Sequence, residues 1–144
     1  MYLGYRRAQN FESPGFLARD EPHPYASPGP LERNRWSLSG DWTAMAEAIV
    51  LNEPNGRIAC EFHARDVHLV MGSATREASI RRRVLVDGQP PDTACGSDVN
   101  ARGSGLLVEQ RMYQLIRQQD PIVDRLFEIE LLDRGAEAFV FTFG

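Results

Sequence analysis

Cysteine is scarce in this chain, which limits the redox chemistry that it can carry. Only two of the 144 residues are cysteines, Cys60 and Cys95, and they do not form a Cys-x-x-Cys motif. The absence of this motif excludes a dithiol redox centre within the chain. Cys60 alternates in phase with Ile58 and Phe62, so we interpret it as a small buried hydrophobe, whereas Cys95 lies in a polar loop. A disulfide between the two cysteines stays open as an alternative.

Lysine is absent altogether, and the net charge is negative. All 16 basic residues are arginines, and 20 acidic residues bring the formal net charge to −4. Phosphate backbones are bound by concentrated positive charge, so this balance argues against a nucleic-acid partner. The one basic cluster, Arg81 to Arg83, is short and lies inside a strand-like stretch.

Long apolar runs are also missing. A membrane-spanning helix needs about 20 apolar residues, and the longest run here is a few residues. The sequence therefore predicts no membrane-spanning segment. No apolar core of a signal peptide follows residues 1–7, and we expect the chain to be one part of a longer protein. With 42% hydrophobic and 25% charged residues, the composition is that of an ordinary globular domain.

The motifs that bind metals or catalyse reactions are weak. His63 and His68 supply two ligands where a zinc site needs three or four. The loop that begins at Asp98 resembles a calcium loop superficially, but Arg102 stands where an oxygen ligand is needed. No spacing of a nucleophile and a base stands out. We therefore predict no metal site, no cofactor and no catalytic residue.

Proline separates the first part of the chain from the rest. Residues 12–33 contain five prolines, and proline is disfavoured inside both helices and ladders. We predict that residues 1–35 form an irregular arm or linker, and that residues 36–144 form the folded domain.

From Trp36 onward, apolar and polar residues alternate in short runs, which is typical of half-buried strands. Gly40-Asp41 and Asn55-Gly56 favour turns, the second of them a hairpin. The apolar phase changes at Asp66, which predicts a corner, a bulge or a tight turn, and a strand that bends there could pass from one sheet to the other. The pattern predicts seven to nine strands in an all-β, antiparallel two-sheet sandwich that is jelly-roll-like. In the last strand Phe139, Phe141 and Phe143 are expected to share one core-facing side.

Several blocks of the sequence resemble the C-terminal domain of DipZ-type proteins, which contain a thioredoxin-like domain. The blocks follow one another along most of the chain and comprise Tyr2–Phe11, Trp36–Thr43, Gly56–Met71, Val86–Pro91, Tyr113–Gln118 and Ala138–Gly144. The resemblance implies a β-sandwich similar to carbohydrate-binding modules, covalently linked to a preceding thioredoxin-like domain. It also implies a periplasmic or otherwise extracytoplasmic location.

Four residues are candidates for binding a glycan. Sugars stack their C–H faces on aromatic rings, for which Trp42 and Tyr113 are the candidates, and Gln114 and Arg117 could supply the polar contacts. The competing interpretation is that both rings fill the core. Trp36 is a weaker candidate of the same kind.

Two functional hypotheses follow. The first is a non-catalytic accessory domain that binds carbohydrate or cell-wall glycan beside a redox domain. The alternative is a structural domain that docks on the redox domain or mediates dimerisation and has no small ligand. A groove with solvent-facing Trp and Arg favours the first hypothesis, whereas an exposed apolar patch without such a groove favours the second.

Overall fold

The computed structural model describes residues 1–75 and 78–144 and consists almost entirely of β-strands. A single short 3₁₀ turn, Asp92–Ala94, accompanies the strands. The described part contains no helix that is long and apolar enough to cross a membrane. The ten strands of the described residues are β1 Pro22–Tyr25, β2 Trp36–Ala44, β3 Ile49–Leu51, β4 Gly56–Phe62, β5 Asp66–Ser73, β6 Ile80–Val86, β7 Ser104–Leu107, β8 Arg111–Arg117, β9 Arg125–Leu131 and β10 Ala136–Phe143.

The strands form one curled antiparallel sheet in the order β7-β6-β9-β4-β2-β3-β10-β5-β8, and β1 also pairs with β2. Strand β2 joins the two halves of the sheet. Its first residues, Trp36–Ser39, pair with β4 in one half, and its later residues pair with β1 and β3 in the other. Curling places the inner faces of the two halves against a common core, which confirms the all-β sandwich class.

Gly40 makes the bend in β2. Its φ of +98° lies in the left-handed region that glycine adopts without strain. A Cβ at this position would also lie only 3.0 Å from the Cα of Gly56. The prediction of a turn at Gly40-Asp41 was therefore wrong, because the chain bends there without ending the strand.

The loop of residues 52–55 is a crossing between sheet halves and not the predicted hairpin. Strand β3 pairs with β2 and β10, whereas β4 pairs with β2 and β9, so the two strands do not pair with each other. Asn55 does have the positive φ expected before Gly56, at +68°. Local turn chemistry was predictable here, but the strand partners were not.

The predicted corner at Asp66 is confirmed. Strand β4 belongs to one half of the sheet and pairs with β9. After residues 63–65, β5 belongs to the other half and pairs with β10 and β8. The change of apolar phase in the sequence thus marks a change of sheet.

The N-terminal segment takes part in the fold. Residues 22–25 form strand β1 on β2, so the arm is not irregular at these four positions. Leu3 is fully buried and Tyr25 is nearly so. The segment before Trp36 therefore completes the same core that the later strands build.

The last strand departs from the predicted alternation. A bulge between Ala138 and Val140 leaves Phe139 out of the pairing with β5. Phe141 is in the core at 1% exposed, but Phe143 is 37% exposed. The expectation that all three phenylalanines lie in the core was wrong for Phe143, and Phe139 is only half-buried.

Candidate functional site

Two of the four predicted ligand residues lie in the core. Trp42 is 0% exposed and Tyr113 is 2% exposed, because each occupies an inward position of its strand. The Trp42 indole N–H donates to the Ser39 carbonyl at 2.9 Å, and the Tyr113 hydroxyl donates to the Glu109 carbonyl at 2.7 Å. Neither ring has a free face for stacking, so the prediction that one of them lines a sugar groove was wrong. Trp36 is equally buried.

The other two residues, Gln114 and Arg117, are exposed on β8. The Gln114 backbone N–H donates to an Asp98 carboxylate oxygen at 2.7 Å, and the Arg117 Nε lies 4.0 Å from an Asp66 oxygen. Since β2 and β8 are separated by three other strands in the sheet, the four residues do not form one site. Ligand contacts by Gln114 and Arg117 stay a prediction.

Tyr113 contacts a cluster of charged groups in which Arg82 is buried and Arg111 is exposed. The guanidinium carbon of Arg111 lies 3.8 Å from the ring centroid, and that of Arg82 lies 5.2 Å from it. Arg111 also pairs with Asp98 at 2.8 Å. The hydrogen bond from Arg111 lowers the pKa of the Asp98 carboxyl below its usual range. The ring thus positions two cations.

Arg82 is the unusual member of this cluster. It is only 3% exposed, and its Nη2 donates to the Asp98 carbonyl at 2.6 Å. Its Nε and Nη1 are buried without a hydrogen-bond partner among residues 1–75 and 78–144. Burial lowers the pKa of its guanidinium. Gly105, its partner across β6 and β7, leaves the space that the guanidinium fills.

A cleft of about 570 Å³ lies where β6, β7 and β9 run side by side, and we name it the arginine cleft. Its lining combines cationic, amide, hydroxyl, carboxylate and apolar side chains. They belong to Arg81, Arg82, Arg83, Asn100, Ser104, Gly105, Leu106, Glu130 and Leu132. Its volume is within the 300–1,000 Å³ range that is usual for ligand sites.

The two exposed arginines of the cleft are held differently. Arg81 donates from Nε and Nη2 to both carboxylate oxygens of Asp133, at 3.1 and 2.8 Å. Arg83 has a longer contact, 3.4 Å from its Nη2 to Glu130. Arg57, on the far side of Glu130, donates to the same carboxylate at 2.9 Å. Glu130 is therefore held mainly by Arg57.

A second groove, of about 420 Å³, lies beside the first residues of the chain, and we name it the N-terminal groove. It is lined by Met1, Tyr2, Arg7, Gln9, Asn10, Asn34 and Phe143. Met1 and Phe141 exchange main-chain hydrogen bonds of 3.0 and 2.9 Å. Tyr2 is 45% exposed, and the Arg7 guanidinium covers its ring at 4.8 Å. The chain thus begins as an added strand against β10.

An apolar row crosses the outer face of the sheet from this groove. Tyr2 lies opposite Val140, Val140 opposite Val70, and Val70 opposite Met112. Residues directly opposite one another in a ladder share a face. Met112 is 45% exposed like Tyr2, and the two valines are half-buried. These four residues, the apolar row, form a continuous apolar strip at the surface.

The cysteines are free thiols and do not form a reactive pair. Cys60 is fully buried, and burial raises the pKa of its thiol. Cys95 is half-buried. Within the described ranges, no three His, Cys, Asp or Glu side chains are grouped to hold a metal ion.

Sequence reasoning missed the arginine cleft, although a signal for it was present. Strand alternation requires that one residue of Arg81-Arg82-Arg83 point inward while its two neighbours point outward. A strand carrying three successive arginines therefore has to bury a cation or place two on one outer surface. Here β6 does both.

Comparison with known proteins agrees with this fold. Residues 1–144 match the family described as thioredoxin-like C-terminal domain. No curated protein matches the sequence. Among solved structures, the chain is similar to a family two carbohydrate esterase from Clostridium thermocellum in complex with cellohexaose. That similarity has a TM-score of 0.52 at 8% identity and covers 68% of this chain and 27% of that one, so it concerns the fold alone.

Proposed function

The chain belongs to the thioredoxin-like C-terminal domain family, and we propose that it is a non-catalytic accessory domain that docks on the thioredoxin-like domain preceding it. The sequence supports a non-catalytic role because it lacks the Cys-x-x-Cys motif. The buried Cys60 thiol, with its raised pKa, is a poor nucleophile, since thiolates and not thiols react.

The direction of the first residues supports docking at the apolar row. In an antiparallel ladder, main-chain groups of alternate residues point to the same side. Phe141 directs its main-chain groups toward Met1, so Phe143 directs its own groups to the same side. Residues that precede Met1 would continue this ladder past Phe143 and the N-terminal groove. We infer that a domain attached there would lie beside the apolar row.

The exposed apolar side chains of the apolar row support a protein as the binding partner of this face. Tyr2 and Met112 are each nearly half exposed at the two ends of the row. An exposed apolar strip of this kind is typical of an interaction surface, and aromatic residues and methionine are enriched in interfaces. The location of this strip beside the N-terminal groove is the observation that carries the proposal.

X-ray scattering of the full-length protein tests the proposal. We expect a compact particle for the wild type and a larger radius of gyration for the double variant Val70→Glu/Met112→Glu. Docking would bury two unpaired carboxylates in the double variant, and this cost would keep the domains apart. Val123→Glu is the matched control, since Val123 is 39% exposed and lies outside the row. Equal radii for all three proteins would contradict docking at this face.

A second candidate function is carbohydrate binding at the arginine cleft. Two observations favour it: the cleft combines donors, acceptors and apolar walls, and the similar solved structure is a carbohydrate esterase holding cellohexaose. The absence of an exposed tryptophan means that such binding would depend on hydrogen bonds rather than on stacking.

A glycan array probed with this chain tests the second candidate. We expect glycans that bind the wild type to lose binding to Glu130→Ala, because Glu130 is the carboxylate in the cleft that would accept hydrogen bonds from sugar hydroxyls. No glycan bound, or binding unaffected by this substitution, would contradict the candidate and leave the docking function.

The resemblance to DipZ-type proteins also supports an extracytoplasmic location. Fractionation of cells that produce the tagged full-length protein tests it, and recovery of the protein in the cytoplasm would contradict it.

A further inference from the structure

We propose that the arginine cleft binds a saccharide that carries a carboxylate, and that Arg83 is the residue that contacts this carboxylate. The inference rests on the second candidate function and deepens it from carbohydrate in general to acidic sugars. Docking through the apolar row is a separate property of the opposite half of the sheet.

Arg83 has the donors that a carboxylate needs. A guanidinium carries five N–H groups in a planar fork that fits a carboxylate with two parallel bonds. In the part of the chain that the structure describes, the Arg83 side chain has one contact, a 3.4 Å bond from Nη2 to Glu130. Its side chain is 48% exposed. Most of its fork is thus available to a ligand.

Glu130 does not need Arg83 as its partner. Its carboxylate accepts a hydrogen bond of 2.9 Å from Nε of Arg57, which also contacts Glu128 at 3.3 Å, and the Glu130 side chain is only 14% exposed. If a ligand draws the Arg83 guanidinium away, Glu130 keeps its ion pair with Arg57. The rearrangement therefore leaves no carboxylate unpaired.

Arg81 provides a fixed wall for the same cleft. Both Asp133 oxygens hold its guanidinium, and the Arg81 hydrogen bonds lower the pKa of Asp133 to about 2. Asp133 therefore stays ionised at neutral pH and keeps Arg81 in place. Arg83, which has no such clamp, is the adaptable arginine of the pair.

The rest of the lining suits a sugar ring better than a small inorganic anion. The Asn100 Oδ1 accepts from the backbone N–H groups of Arg102 and Ser104, at 3.0 and 2.9 Å, which orients its NH₂ donors. Ser104 supplies a hydroxyl, and Leu106 and Leu132 supply apolar surface for C–H groups. This combination of polar and apolar groups is typical of organic ligand sites.

Buried positive charge next to the cleft adds to its preference for anions. Arg82 is 3% exposed and its bond to Asp98 reaches the backbone carbonyl. The Asp98 carboxylate is already held by Arg111. The Asp98 carboxylate is thus shared between two guanidinium groups, and the field of Arg82 is little screened by solvent because Arg82 is buried.

Calorimetric titration of this chain with three probes tests the proposal. The probes are trigalacturonate, the neutral trisaccharide cellotriose, and sodium sulfate as a simple anion. We expect trigalacturonate to bind at least about tenfold more tightly than the other two, because a hydrogen bond between charged groups is stronger than one between neutral groups. Binding should weaken as salt concentration rises.

Two arginine variants localise the binding. Arg83→Gln is expected to lower the affinity for trigalacturonate about tenfold and to leave the melting temperature near that of the wild type. Arg33→Gln is the control, because Arg33 is 54% exposed and lies outside the cleft.

Each outcome decides between the alternatives. Equal affinity for cellotriose and trigalacturonate would overturn the acidic-sugar inference but leave carbohydrate binding standing. Sulfate binding as tightly as trigalacturonate would replace it with a general anion site. No binding of any probe would remove the inference, and equal affinity for trigalacturonate in Arg83→Gln and Arg33→Gln would show that Arg83 does not contact the carboxylate.

Discussion

At the scale of single residues, backbone geometry decides which glycines the fold requires. Gly103 has a φ of +86°, and its carbonyl accepts from the Val84 N–H at 2.8 Å. A Cβ at this position would collide with the Val84 carbonyl oxygen. Gly88 has a similar φ of +77°, but its surroundings are open. Substitutions at these two positions therefore distinguish the cost of backbone strain, which both share, from the cost of a steric collision, which only Gly103 has.

We predict that Gly103→Ala destabilises the protein far more than Gly88→Ala. The shared left-handed backbone costs about 1–2 kcal/mol in each variant. Gly103→Ala adds a collision with main chain that cannot relax without breaking the β6–β7 ladder, so its total loss should exceed about 3 kcal/mol. Urea denaturation measures both values, and equal losses would show that the loop before β7 adapts.

Burial, and not residue type, distinguishes Arg82 from the two arginines beside it in the sequence. Arg81 and Arg83 have the same side chain, yet they are exposed because they alternate with Arg82 along β6. The result is one buried arginine beside Tyr113 and two exposed arginines, and all three line the arginine cleft. Strand alternation thus gives three identical residues two different environments.

At the scale of elements, one bulge in β10 decides which aromatic residues fill the core. Before the bulge, Ala136 and Ala138 face inward, and after it Phe141 does. The Phe141 ring packs edge-on against Phe127 with centroids 5.6 Å apart. Phe143 stacks between Phe141 and Phe62 but remains 37% exposed.

We predict different losses for the two truncations in this strand. Phe141→Ala removes a fully buried ring and should cost roughly 3–5 kcal/mol. Phe143→Ala removes a partly solvated ring and should cost less than about 2 kcal/mol. Chemical denaturation gives both values. A larger loss for Phe143→Ala would mean that the end of β10 is more buried than its exposure indicates.

At the scale of the whole molecule, aspartate–arginine and aspartate–histidine pairs join distant strands and loops. Asp98, Asp124 and Asp133 have pKa values below the usual range, caused first by hydrogen bonds from Arg111, His63 and Arg81 respectively. A carboxyl whose folded pKa is depressed stabilises the fold fully above its unfolded pKa. That stabilisation is lost as pH falls through the folded value.

We therefore predict that the melting temperature falls as the pH is lowered below about 4, the unfolded pKa of aspartate. The loss should continue toward the Asp133 pKa of about 2. Asp133→Asn is expected to lower the melting temperature at pH 7 and to reduce the further loss between pH 4 and 2. Asp92→Asn, an exposed aspartate, is the control. If the melting temperature depended on pH identically in the wild type and in Asp133→Asn, Asp133 would not be a source of this acid-sensitive stabilisation.

The sequence by itself determined the local character of this protein. Alternation gave the all-β class and most of the strands, because side-chain direction in a strand depends only on neighbours along the chain. The phase change at Asp66 located the crossing between sheet halves for the same reason. The lack of a Cys-x-x-Cys motif is likewise visible in the sequence without any structure.

The tertiary structure alone decided which strands pair and what each face meets. Alternation places Trp42 and Tyr113 on a face but does not say whether that face meets solvent or core, and both rings proved to be buried. The arginine cleft joins residues of β6, β7 and β9, which lie far apart in the chain and become neighbours only through strand order. Pairing between distant segments depends on the packing of the whole chain, so no local pattern specifies it.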